Sequence, residues 1–195
     1  MKKIFVIPGF KQKTNEETFR WLRNFLKGQG FEVVMVPVTW NRRTMRDYAV
    51  EFEEFYSKHK SEENYILGFS YGAVIALIVG ERLSPKKLFL CSVSADFKED
   101  LPKMKKWIFR YLGKKRITEI ATRSGKDIAR KLTVPTVVIY GEEEGVQYPE
   151  LKMRCEETAR LAKNAKLFIA KNSPHNISFP EYSKTIMRVF LNKKV

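Results

Sequence analysis

The sequence predicts an α/β fold: a parallel sheet of about six strands covered on both faces by helices. Three observations lead there. Short runs rich in β-branched and aromatic residues alternate along the chain with segments of helical periodicity. These runs are continuously apolar, as strands buried on both faces are. One of them, Tyr65-Ile66-Leu67, passes through Gly68-Phe69-Ser70-Tyr71-Gly72 into the small apolar stretch Ala73 to Val79, so a strand pattern becomes a helix pattern at a serine.

Taken in order, Lys3 to Ile7 reads as a buried strand that runs into a loop at Pro8-Gly9-Phe10. Thr14-Asn15-Glu16-Glu17 has the spacing of a capping box. Phe19, Trp21, Leu22, Phe25 and Leu26 then give a helix face closed by Gly28 and Gly30. Phe31 to Val38 is a second strand. Met45, Tyr48, Ala49, Phe52, Phe55 and Tyr56 recur at helical spacing and predict a helix over 44–58. His59, between two lysines, is expected to be exposed and idle. The third strand, about 64–69, carries the serine turn and is followed by a buried helix, Ala73 to Arg82. Lys87 to Val93, Thr136 to Tyr140 and Ala165 to Ala170 complete the strands. A helix around Glu150 to Lys163 separates the last two. Ser178-Phe179-Pro180-Glu181 opens a final helix that turns Tyr182, Ile186, Val189 and Phe190 inward.

Between the fourth and fifth strands lie about 40 residues, more than one crossover needs. The stretch contains Lys103 to Arg116, basic and interleaved with aromatics. A helical insertion over 96–131, lying across the carboxyl edge of the sheet, is expected within a single domain of 1–195.

Composition narrows the class. With 44% hydrophobic and 13% aromatic residues, the chain suits a packed core and argues against disorder. Pro8, Gly9 and Lys11 cut the opening apolar run too short for a signal peptide, and no apolar segment is long enough to span a bilayer. Cys91 and Cys155 read as reduced core thiols, and a cytoplasmic location is expected. The net charge of +15 comes from 37 Lys and Arg against 22 Asp and Glu. Such an excess attracts polyanions, but the lysines are scattered and no nucleic-acid motif is present. The expectation is a solvated surface with no specific nucleic acid and, at most, weak binding to an anionic surface. Two separated histidines and two separated cysteines supply no metal-ligand spacing, and no glycine-rich phosphate loop occurs, so neither metal nor cofactor is expected.

A serine flanked by glycines at a strand-to-helix turn is held in a strained backbone conformation with its hydroxyl exposed. The amide of Tyr71 then sits at a helix N-terminus, where free N–H groups favour an anion. In a parallel sheet, chemistry belongs at the carboxyl ends of the strands. There the loop after the fifth strand reads Gly141-Glu142-Glu143-Glu144-Gly145, and the loop after the sixth reads Asn172-Ser173-Pro174-His175-Asn176. A serine, a carboxylate and a histidine follow in that chain order, with Asp96, just after the fourth strand, as a further carboxylate on the same edge.

The elbow Gly68 to Gly72, the strand Pro135 to Tyr140 running into an acidic loop, and a late histidine before a final helix together resemble the α/β-hydrolase superfamily over nearly the whole chain. The resemblance implies a compact member that begins at the strand carrying the oxyanion loop, with its six strands in spatial order 2-1-3-4-5-6. It implies nucleophilic acyl transfer: Ser70 attacks an ester or thioester carbonyl, His175 carries the proton, and a carboxylate orients the imidazole. Family spacing selects Glu144 for that carboxylate, with Glu143 and Asp96 as alternatives. The backbone amides of Phe10 and Tyr71 are implied as the oxyanion donors, although Pro8-Gly9-Phe10 replaces the frequent His-Gly opening of that loop. In the insertion, Trp107, Ile108, Phe109 and Tyr111 would line an acyl pocket or pack on the sheet. The expected function is a cofactor-independent serine hydrolase cleaving small or medium acyl esters. The alternative is a non-catalytic interaction protein on the same scaffold, binding an anionic partner or membrane surface.

Overall fold

The computed structural model of the protein describes residues 1–41 and 43–191. Six parallel strands form one sheet in the order β2-β1-β3-β4-β5-β6: β1 (Lys2–Ile7), β2 (Glu32–Met35), β3 (Glu63–Phe69), β4 (Lys87–Cys91), β5 (Thr136–Gly141) and β6 (Ala165–Ala170). Alternate residues of a strand face opposite ways, and the core divides accordingly. Phe5 and Ile7 of β1 join Ile66, Leu88, Leu90 and Val138 on one face. Ile4 and Val6 join Leu67, Phe89, Val137 and Ile139 on the other.

The first face is covered by α2 (Met45–His59), α3 (Tyr71–Leu83), α5 (Gly125–Lys131) and α7 (Pro149–Leu161). The second carries α1 (Arg20–Gly28) and α8 (Pro180–Leu191), where Phe190 stacks on Phe89 at 4.2 Å. Helix α3 is buried along most of its length, so its apolar sequence has no solvent face. Thr44 and Asp47 form a reciprocal capping box that fixes the start of α2. The capping box expected at 14–17 does not form. Glu16 and Lys13 instead close a tight turn, and a single 3-10 turn, Glu17–Phe19, leads into α1.

Strand β2 pairs with β1 from Glu32 to Met35 only, because Pro37 cannot extend the ladder. Strand β4 stops at Cys91, where Ser92 takes a positive φ of 55°. Between β4 and β5, a 3-10 turn (Leu101–Lys103) precedes α4 (Lys106–Ala121) and α5. Helix α4 is broken at Gly113, whose φ of 75° and ψ of 163° a side chain would oppose. His59 is exposed; its ring stacks on Phe55 at 4.1 Å and bonds the Phe55 carbonyl. Cys91 and Cys155 are free and buried, and burial pushes both thiols up. Among the described residues no helix is long and apolar enough to cross a membrane.

Candidate active site

Strand order reverses at β1, whose neighbours are β2 on one side and β3 on the other, and the crevice at such a reversal is where open parallel sheets place ligands. Two turns meet there. After β3, Ser70 adopts φ 56° and ψ −120° and serves as the N-cap of α3. Its own amide bonds the Cys91 carbonyl, so the elbow is tied to β4. A Cβ on Gly72 would strike the carbonyls of Ile7 and Pro8, and one on Gly68 would strike the backbone of Gly72 and Ala73. The two glycines therefore let β1, β3 and α3 close on one another, and the remaining way out for the Ser70 side chain is the crevice.

After β1, the chain turns at Pro8-Gly9-Phe10. Gln12 accepts from the Gly9 amide at 2.8 Å and donates its own amide to the Gly9 carbonyl, pinning the turn. A Cβ on Gly9 would lie 3.2 Å from Ser70 Cβ, so the turn lies against the elbow. The first amides of α3 lack intrahelical partners, which leaves the Tyr71 N–H beside Ser70 as an available donor.

Ser70 Oγ lies 3.1 Å from His175 Nε2, and His175 Nδ1 lies 2.9 Å from Glu144 Oε2. A carboxylate only accepts, so Nδ1 of the neutral ring carries the proton and Nε2 offers its lone pair to the serine hydroxyl. The imidazole stacks on Phe69 at 5.0 Å and meets Tyr148 edge-on at 6.2 Å. Ser94 Oγ is 3.2 Å from Ser70 Oγ and is free to donate to it.

Glu144 is wholly buried. The acidic loop is a short helix, α6 (Glu142–Gln147), and its phase decides which carboxylate turns inward. Glu142 and Glu143 face solvent at its first turn, while Glu144 points into the molecule. The amides of Glu143 and Glu144 both donate to the Ser173 carbonyl, which fastens this turn to the loop bearing His175. Ser92 Oγ donates to Glu144 Oε2 at 3.0 Å and lies 2.7 Å from the Tyr182 hydroxyl, itself 3.2 Å from the Ile139 carbonyl. Oε1 of Glu144 is buried with no partner among the described residues. The sequence places Tyr182 only as a core residue and gives no role to Ser92 or Ser94. The available signal was two serines just past a fully apolar strand end and a tyrosine on an otherwise apolar helix face.

The other carboxylates are placed elsewhere. Asp96 is buried, but its Oδ2 pairs with Arg123 at 2.7 Å rather than with the histidine. Arg123 also bonds Glu119 and the Asp96 carbonyl. Burial outweighs the guanidinium and pushes the Asp96 carboxyl up to about 7. Of the insertion aromatics, Trp107 and Tyr111 border a cavity of about 300 Å³ together with Ile108, Met104, Tyr148 and His175. Phe109 does not border it and is partly exposed. No group of three or more His, Cys, Asp or Glu among the described residues could hold a metal ion.

A parallel sheet covered on both faces, with a serine, a histidine and a buried glutamate linked in series at its carboxyl edge, defines a class of architecture. The fold is that of the α/β hydrolases. No protein-family model matches the chain, and no curated protein matches it in sequence. Solved structures do. Est1E from Butyrivibrio proteoclasticus, also solved with ferulic acid bound, superposes with a TM-score of 0.77 at 16% identity, covering 96% of this chain and 84% of its own. MGS-MChE2, an α/β hydrolase enzyme from a lagoon-sediment metagenome of Mar Chica, Morocco, gives 0.71 at 18%, covering 100% and 92%. Bromoperoxidase from Bacillus anthracis gives 0.74 at 12%, covering 97% and 90%. Names as different as these show that the scaffold does not choose the reaction; the side chains at the site do.

Proposed function

We propose that the protein is a serine hydrolase that cleaves small or medium acyl esters through an acyl-enzyme on Ser70. The observation that carries this reading is the hydrogen-bonded series Ser70 Oγ, His175 Nε2, His175 Nδ1 and Glu144 Oε2 at 3.1 and 2.9 Å, mounted on a strained elbow. Catalytic roles for Ser70, His175 and Glu144 follow from it. As Ser70 Oγ bonds to the substrate carbonyl carbon, its proton passes to Nε2. The Glu144 carboxylate stabilises the imidazolium and holds the ring's tautomer. The amides of Tyr71 and Phe10 receive the developing oxyanion, each donor contributing about 3 kcal/mol to the transition state. The imidazolium then protonates the departing alkoxide, and water enters to release the acyl group by the same steps in reverse.

The insertion over 96–131 acts as a modest lid. Its Trp107, Ile108 and Tyr111 shape a largely apolar cavity whose size, about 300 Å³, suits a small or medium acyl or alcohol group. The ferulic acid bound by Est1E fits the same reading of an organic acid released from an ester.

Purified protein is expected to label with a fluorophosphonate probe and to hydrolyse short p-nitrophenyl esters. Ser70→Ala and His175→Ala should each abolish labelling and lower kcat by about 10⁴-fold or more. An intact, folded protein that neither labels nor turns over any ester would sink the proposal.

A further inference from the structure

Tyr111 and Leu112 form a wall shared by two hollows of opposite character. On one side is the apolar cavity bearing His175. On the other is a larger depression of about 550 Å³ bordered by Lys11, Lys114, Lys115 and Arg116, with no carboxylate among the described residues that line it. The break at Gly113 produces this arrangement. It ends the aromatic stretch of α4 at Leu112 and redirects the three following cations toward the turn after β1. Lys11 comes to the same place from the other chain segment, in a left-handed conformation (φ 60°) that a lysine adopts only at a cost. Its Nζ lies 5.3 Å from the Phe10 ring centre, and the Arg116 guanidinium carbon lies 5.8 Å from it.

Among the described residues these charges lack a carboxylate within ion-pair distance. None of Lys11, Lys114, Lys115 and Arg116 forms an ion pair among the described residues; Lys115 acts on Asp47 and Arg116 on Asp96 only at longer range. Arg116 is positioned rather than neutralised: Nε donates to the Arg43 carbonyl at 2.8 Å and Nη2 to the Tyr48 hydroxyl at 3.2 Å. Trp40, which borders the same depression, has an Nε1 buried with no acceptor among the described residues. The cations surround a hollow with an aromatic wall and do not crown a flat face, which suits one compact anion. Phe10 joins this hollow to the reaction: its ring borders the depression, and its amide is the donor proposed for the oxyanion.

We propose that the substrate carries an anionic group, a carboxylate or a phosphate, and that Lys11, Lys114, Lys115 and Arg116 hold it while the ester bond lies at Ser70. The proposal rests on the hydrolase reading for the second half of that statement alone. Guanidinium and ammonium groups bind either anion by charge-assisted hydrogen bonds. His175 must reach the leaving oxygen and faces the apolar cavity, so the anion belongs to the acyl part, on the side away from His175.

The test compares kcat/KM for length-matched p-nitrophenyl esters with a neutral, a carboxylate-ended or a phosphate-ended acyl chain. At low salt the anionic esters should be preferred about fivefold, and the preference should vanish near ~0.5 M salt. Lys114→Gln with Lys115→Gln should erase it. Lys58→Gln with Lys60→Gln, the same charge change at the opposite edge of the sheet, should keep it. The better of the two anions identifies the group. No preference, or one indifferent to Lys114→Gln with Lys115→Gln, overturns the proposal, as does a gain seen only with phosphatidylglycerol vesicles, which would make the cations a lipid-docking face. A second arm does not need hydrolysis: calorimetric titration with 4-phenylbutyrate, phenyl phosphate and 4-phenylbutyramide. Tighter binding of the anions by a protein that turns over no ester leaves the anion site standing and removes the hydrolase. Ester turnover with equal binding of all three does the reverse.

Discussion

Two carboxylates lie buried near the carboxyl edge of the sheet, and they keep different company. Glu144 follows β5 and meets an imidazole whose far nitrogen faces Ser70, with Ser92 and Tyr182 behind it. Asp96 follows β4 and meets Arg123, which also bonds Glu119 of α4 and the Asp96 carbonyl. The two are buried to a similar degree, so burial alone does not distinguish the acid proposed for catalysis. The partner does. A carboxylate against a ring that can exchange a proton with a hydroxyl suits chemistry, whereas one paired with a guanidinium ties the two ends of the 96–131 insertion together.

The largest test of this contrast is to remove one negative charge at a time. Glu144→Gln should lower kcat by about 10³–10⁴-fold, since the amide can leave the ring in the wrong tautomer. Asp96→Asn should leave ester turnover within about threefold of the wild type, as expected of a residue remote from the proton path. Equal losses in the two variants would erase the distinction. A smaller effect separates Glu144's support from its charge: Ser92→Ala removes the hydroxyl that donates to Oε2 and should lower kcat by about tenfold, the usual size for an outer partner of a working group. If kcat is unchanged, the Ser92 contact is only packing.

The smallest effect is thermal. The Asp96 carboxyl stands at about 7 in the folded chain against an ordinary value of 3.8, because burial and the nearby Glu119 and Asp100 outweigh Arg123 and Arg116. The folded state therefore binds a proton that the unfolded state releases between about pH 4 and 7, and stability from this group falls as pH rises through that window. The Tm of the wild type relative to Asp96→Asn should drop by a few degrees from pH 5 to pH 8. A rise over the same range would mean that Arg123 governs the group after all.

The sheet was legible because its evidence is local. Continuous apolar strands, the helical spacing of residues 45–56 and the glycines about Ser70 each state their structure within a few residues. The choice among Glu143, Glu144 and Asp96 was not local. It turns on the phase of α6, a helix of six residues too short to show a period, and on Arg123 lying far along the chain from Asp96. Ser92 escaped notice and Tyr182 was legible only as a core residue for the same reason, since a buried hydroxyl acquires meaning only from a partner 52 or 90 residues away. The basic segment at 103–116 was visible as composition, but the Gly113 break that separates its aromatic residues from Lys114, Lys115 and Arg116 was not. A lone glycine in a helical pattern does not announce the angle it will take.

The non-glycine residues with positive φ are not scattered. Lys11 follows β1, Ser70 follows β3, Ser92 follows β4 and Asn172 follows β6, all on the carboxyl side of the sheet; Ser84, at the end of α3, is the remaining one among the described residues. Each such angle costs on the order of 1–3 kcal/mol for a residue with a side chain. A search for heat-resistant descendants of this protein would therefore find its easiest gains, glycine or asparagine at Lys11 or Ser92, on the rim where the reaction geometry is set. Durability and the proposed chemistry trade against each other along that rim, whereas the opposite edge of the sheet can be hardened without disturbing Ser70.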